Sequence, residues 1–156
     1  MKLIKPSFEI LSQENGIDGM YKMIELAGRT CYKSEDKITE DSSVKFVQML
    51  IDRRHLAMLE HGTIYLDIPD SVWVAVCGDY DDNPYSKVIH VVEKEGEQLK
   101  HYVSTNYRVL IENDWLDDLK YQCEPTEYHE KRVSVKFICD RGISHELVRH
   151  EILCVA

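Results

Sequence analysis

The chain has 156 residues, 44% of them hydrophobic, and a formal net charge of −9 at pH 7. That length and composition suffice for one domain with a real apolar core. The acidic balance excludes a general nucleic-acid surface, because phosphate backbones need clustered Lys and Arg, but a few local arginines can still hold a small anion.

Read in chain order, residues 2–10 form a short strand. The opening Met1-Lys2-Leu3-Ile4-Lys5-Pro6 lacks the apolar centre of a signal peptide. Ile17, Met20, Ile24, Ala27 and Cys31 recur at helical spacing and predict an amphipathic helix over 17–31. Residues 33–42 are a polar loop, and Ser42 or Ser43 can cap a second helix with Val44, Val47, Leu50 and Ile51 on its core face. His55 to His61 make a tight connection into a strand over 63–68, where Ile64, Leu66 and Ile68 alternate and Pro69 ends the run. The apolar run 72–76 reads as a further strand, and 78–84 as an acidic, turn-rich loop. Runs 88–92 and 99–103 flank Gly96 and predict a hairpin. Short helices follow at 106–111 and 114–121. Over 132–139, Val133, Val135, Phe137 and Cys139 fall on one face of a strand. Gly142 and Ser144 then precede a last helix.

The fold class is therefore α+β: helices packed on a mostly antiparallel sheet, in a single domain over 1–156. No run approaches the roughly 20 apolar residues that cross a bilayer, so no membrane partner is expected. The five cysteines are odd in number and widely spaced, with no Cys-x-x-Cys. Free thiols in a reducing, cytoplasmic setting are the expectation.

Ionisable residues crowd the end of the chain, at Ser144-His145-Glu146-Leu147-Val148-Arg149-His150-Glu151. His145 and His150 are five apart, so on a helix they diverge by about 140° and cannot share one metal ion. No metal site is expected. Arg149 and His150 diverge by about 100° and can meet two parts of one ligand; an arginine fork suits phosphate. From spacing alone, His55 is a histidine satisfied at a helix C-terminus, and Glu60 and His61 cap a strand. Ser104, Asn106 and Arg108 read as loop capping.

Three segments resemble one family when taken together. They are Ala27-Gly28-Arg29-Thr30-Cys31-Tyr32, then Arg54-His55-Leu56-Ala57-Met58-Leu59-Glu60-His61-Gly62-Thr63, then Ser144 to His150. Their types and order are similar to those of the flavin-dependent thymidylate synthases, which carry an Arg-His-Arg-x-x-Ser-x-Asn-Glu-x-Ser-x-Arg motif. The resemblance implies the fold of the N-terminal part of such an enzyme. It also implies reductive methylation of dUMP to dTMP, with methylenetetrahydrofolate as carbon donor, FAD as hydride carrier, NADPH as reductant, and a homo-oligomer whose contacts build the site. By the same resemblance His55 would lie against the flavin, Glu60 would brace the cofactor region, Arg149 and His150 would hold cofactor, and Glu146 with Arg149 would reach the nucleotide. Cys31 is not implied as a nucleophile.

The chain departs from the family in places. Glu151 stands where the motif has its second Arg, Ile152 to Ala156 do not continue the motif, and Ala57 replaces a common Ser or Thr. The expectation is thus a truncated and inactive form, with an insertion at 70–131 and an apolar surface left open around Leu147, Val148, Ile152, Leu153 and Val155. The alternative is a non-catalytic remnant or a self-associating binding module without flavin.

Overall fold

The strict alternation of Ile64, Leu66 and Ile68 is what anchors the architecture. All three side chains are fully buried on one face of a three-stranded antiparallel sheet. The structure, a computed structural model, describes residues 5–76, 80–93 and 98–147. In chain order its elements are β1 (Ser7–Leu11), α1 (Gly16–Cys31), α2 (Ser42–Asp52), β2 (Thr63–Pro69), α3 (Asp70–Val76), β3 (Lys87–Glu93), β4 (Gln98–Asn106), α4 (Tyr107–Glu112), β5 (Ser134–Ile138) and α5 (Arg141–Leu147). Short 3-10 turns lie at Glu35–Lys37, Leu56–His61 and Leu116–Tyr121.

The central sheet runs β2-β4-β3, with Leu66 opposite Val103 and His90 opposite His101. Residues 70–131 thus contribute its middle strand. Against the Ile64/Leu66/Ile68 face pack Met20 and Ile24 of α1, Phe46, Val47 and Leu50 of α2, and Leu59, Tyr107 and Leu110. Fully burying one such aliphatic side chain stabilises by about 1.5–3 kcal/mol. The free edge of β2 is closed by a side chain. The Gln13 amide donates to the Thr63 carbonyl at 2.7 Å and accepts from the Thr63 N–H at 3.0 Å, as a neighbouring strand would. Further along, the Cys123 N–H donates to the Tyr65 carbonyl at 2.9 Å.

The α+β arrangement on antiparallel sheets is as expected, with four local differences. Residues 72–76 are helical, not a strand. A five-residue apolar run does not distinguish the two, and here Asp70 in the first turn favours the helix through its dipole. The inward face of α2 is Ser43, Phe46, Val47 and Leu50, while Val44 is exposed; one step of helical phase separates the two patterns. Of the short helix expected over 114–121, Leu116–Tyr121 forms, as a 3-10 turn. Finally, the strands divide into two sheets where one was expected: β5 pairs with β1 in a separate two-stranded sheet. There Phe8 lies opposite Phe137 and Ile10 opposite Val135, and all four are exposed.

Three helices end on the same device. After α1, α2 and α4 the chain places Lys33, Arg54 and Asp114 at positive φ of 51°, 55° and 60°. The following N–H then reaches back five residues: Ser34 to the Arg29 carbonyl, His55 to Leu50 and Trp115 to Leu110, each at 2.9 Å. This is the Schellman turn, which satisfies terminal carbonyls and usually takes glycine at the left-handed position. Here L residues occupy it, and the strain is accepted to turn the chain sharply.

Candidate functional site

The ends of α1 and α2 lie side by side, because Gly28 admits Phe46 so closely that a Cβ would sit 2.6 Å from the ring. Arg29 covers the same ring at 4.4 Å and pairs with buried Glu25 at 3.1 Å. The two Schellman turns then project Tyr32 and His55 together, with the Tyr32 hydroxyl 2.7 Å from His55 Nδ1. When the hydroxyl donates, His55 keeps Nε2–H as a donor.

These side chains line an open cavity of about 540 Å³, together with Arg54, Leu56, Ala57, Met58, Arg108 and Glu112. The volume falls within the range of small-molecule sites, roughly 300–1,000 Å³. Arg108 is fixed on two sides: its Nη1 donates to Glu60, and its Nε donates to Glu112 at 2.8 Å. Both carboxylates hold its guanidinium above the ordinary arginine range, Glu112 more strongly than Glu60 and against partial burial. His61, next along the turn, is shifted the other way. Burial lowers its pKa, opposed by Glu60, so it favours the neutral ring. The cavity therefore presents the Arg54 guanidinium, the Arg108 guanidinium paired with Glu60 and the lining Glu112, an imidazole and a phenol beside the apolar Leu56, Ala57 and Met58. That donor set fits a planar ligand carrying negative charge.

The expected site residues divide three ways. His55 lines the cavity, and Glu60 meets it through Arg108. Glu146 is exposed on α5 and is not a lining residue. Arg149 and His150 lie outside the described residues, as do Val148, Ile152, Leu153 and Val155. Tyr32, Arg54, Arg108 and Glu112 are the additions. The sequence carried one signal for them: Arg108 and Glu112 stand four apart, the spacing of a helical ion pair.

Cys123 and His129 lie 3.8 Å apart but do not form a nucleophile–base pair. His129 Nε2 donates to the Leu66 carbonyl at 3.1 Å, and its Nδ1 accepts from the Thr126 N–H at 3.0 Å. Neither nitrogen is left to take a thiol proton. Burial lowers the His129 pKa and pushes the Cys123 thiol up to about 11, so the pair rests as neutral ring and neutral thiol. Among the described residues no helix is long and apolar enough to cross a membrane.

No family model, no curated protein and no solved structure matches this chain.

Proposed function

We propose that the cavity at the ends of α1 and α2 is the chain's part of a flavin-dependent thymidylate synthase site. Such a site takes FAD and dUMP, with methylenetetrahydrofolate and NADPH as co-substrates, and is completed in a homo-oligomer. The observation that carries the proposal is the meeting of His55 and the Glu60–Arg108 pair at one cavity, with Tyr32 from the first resembling segment bonded to His55. Two of the three segments that resemble the family thus share one site, although they are more than twenty residues apart. Arg54 and Arg108 would meet the negative charge of cofactor or nucleotide, and His55 would donate to a ring or phosphate oxygen. The flavin would supply the redox chemistry, and the chain would bind and orient it.

The test is titration of the 156-residue protein with FAD, followed by flavin fluorescence. Saturable binding that weakens at least about tenfold, ~1.4 kcal/mol, in both His55→Ala and Arg108→Ala supports the proposal. The circular dichroism of both variants should be unchanged. No saturable binding, or equal binding by both variants, rejects it.

A second reading is a self-associating module, and the β1–β5 sheet favours it. Phe8, Ile10, Val135 and Phe137 form one continuous apolar face, with Phe8 69% and Ile10 63% exposed. A two-stranded sheet is marginal in water unless its apolar face is covered. Sedimentation of the wild type and of Phe8→Lys/Phe137→Lys separates the cases. A dimer that the double variant dissociates supports self-association, and a monomer throughout removes it.

A further inference from the structure

Away from the cavity, His90 of β3 and His101 of β4 face each other as direct cross-strand partners. Opposed positions on antiparallel strands hold their Cβ atoms about 4.5–5.5 Å apart, which lets two side chains reach one point. His101 is 1% exposed. Trp73 of α3 stacks on its ring at 4.0 Å and 9°, and the same indole meets His90 edge-on at 5.4 Å.

Each ring has a carboxylate on its outer nitrogen. Asp70 Oδ1 lies 3.2 Å from His101 Nε2, and Asp81 Oδ1 lies 3.4 Å from His90 Nε2. A carboxylate draws the ring proton to the nitrogen it faces, which turns the lone pair onto the other nitrogen. Both Nδ1 atoms point inward, 2.7 Å apart. With both ring protons turned outward, two lone pairs would meet at that distance, a contact that a shared proton or a bound cation relieves. Lys100, the adjacent residue on β4, faces the opposite side of the sheet and pairs with Asp67 at 3.4 Å. It does not fill the gap.

We propose that His90 and His101 form a two-imidazole site for a late first-row transition-metal ion, held through both Nδ1 atoms. Metal-ligating histidines commonly donate their second N–H to a carboxylate, which fixes the tautomer and raises ligand basicity; Asp70 and Asp81 stand in that position. Imidazole suits zinc, copper and nickel. Two metal–nitrogen bonds of about 2.0–2.1 Å at a tetrahedral angle separate the nitrogens by roughly 3.3 Å, so the rings must open by about 0.6 Å. His90, with 43% of its side chain exposed, can make that movement, while the Trp73 stack holds His101. Among the described residues no group of three or more His, Cys, Asp or Glu gathers for a metal. The other coordination positions therefore belong to water or an added ligand.

Nickel ion is the probe, titrated into tag-free protein. Binding is read by equilibrium dialysis and by quenching of Trp73 fluorescence in a Trp115→Phe background, which leaves a single tryptophan. The expected result is one ion per chain. His90→Ala, a change at the exposed partner, should raise Kd at least tenfold without altering circular dichroism. Asp81→Asn should raise it by about tenfold, the usual effect of losing an outer carboxylate. If the Trp115→Phe protein does not fold, dialysis of the wild type and His90→Ala decides alone. Equal binding by those two, or no saturable binding by the wild type, overturns the proposal and leaves the 2.7 Å contact as an imidazole–imidazole hydrogen bond.

Discussion

Lys33 offers a clean measure of the strain held at the helix ends. It sits at φ 51° in the turn that closes α1, its side chain is exposed, and it does not line the cavity. An L residue in the left-handed region costs roughly 1–2 kcal/mol, from the approach of Cβ to the following carbonyl. Glycine removes that clash but gives up about 0.5–1 kcal/mol of backbone entropy on folding. Lys33→Gly should therefore stabilise by about 0.5–1 kcal/mol, which for a chain of this size raises Tm by roughly 1–4 °C. Lys33→Ala keeps the Cβ and should stay within about 0.5 kcal/mol of wild type. Urea unfolding monitored by circular dichroism measures both. Equal changes for Gly and Ala would refute the argument, because the effect would then belong to the lost lysine side chain and not to the backbone.

Leu66→Ala removes a fully buried side chain at the centre of the sheet and should cost about 3–5 kcal/mol in the same unfolding assay; a loss under about 1 kcal/mol would mean that β2 is not the core strand. Stability should depend on pH through His129, whose folded pKa lies below its unfolded value because of burial. That contribution is present above about pH 6.5 and is lost as pH falls through the lowered value. His129→Gln should flatten the slope between pH 7.5 and about 5.5, and an unchanged slope would contradict the assignment. In single-cysteine variants at pH 8, Cys123, with its thiol near 11, should react with a disulfide reagent about tenfold more slowly than exposed Cys31. Equal rates would show that the Cys123 environment opens in solution.

Much of the scaffold was legible because it rests on local periodicity. The 17–31 spacing and the 63–68 alternation correspond to α1 and β2; all of Ile64, Leu66 and Ile68 are buried, whereas of the α1 stripe Met20 and Ile24 are buried and Ile17 and Cys31 are exposed. The 88–92 and 99–103 runs correspond to the β3–β4 pair, although the turn between them lies outside the described residues. The 72–76 run failed because five apolar residues satisfy either period. Val44 and Phe46 exchanged places because a short helix leaves its phase loosely determined. The cavity was legible only in part. His55 came from resemblance, whereas the Arg108–Glu60 pair joins residues 48 positions apart. No local pattern encodes such a contact, because it depends on α4 leaving β4 beside the turn that precedes β2.

The position of β4 also has a consequence for synthesis. The Ile64/Leu66/Ile68 stripe leaves the ribosome well before the strand that must lie beside it, since β2 ends at Pro69 and β4 at Asn106. At translation rates of about 5–20 residues per second, the roughly 37-residue delay lasts about 2–7 s. Throughout that interval the stripe can be shielded by α1, α2 and Leu59, which are already made. The growing chain is then a helical half with an unmatched strand, the kind of species that chaperones retain. Gln13, upstream of the stripe, is available from the start to cover the Thr63 end of one edge of β2, whereas the Tyr65 part of that edge waits for Cys123.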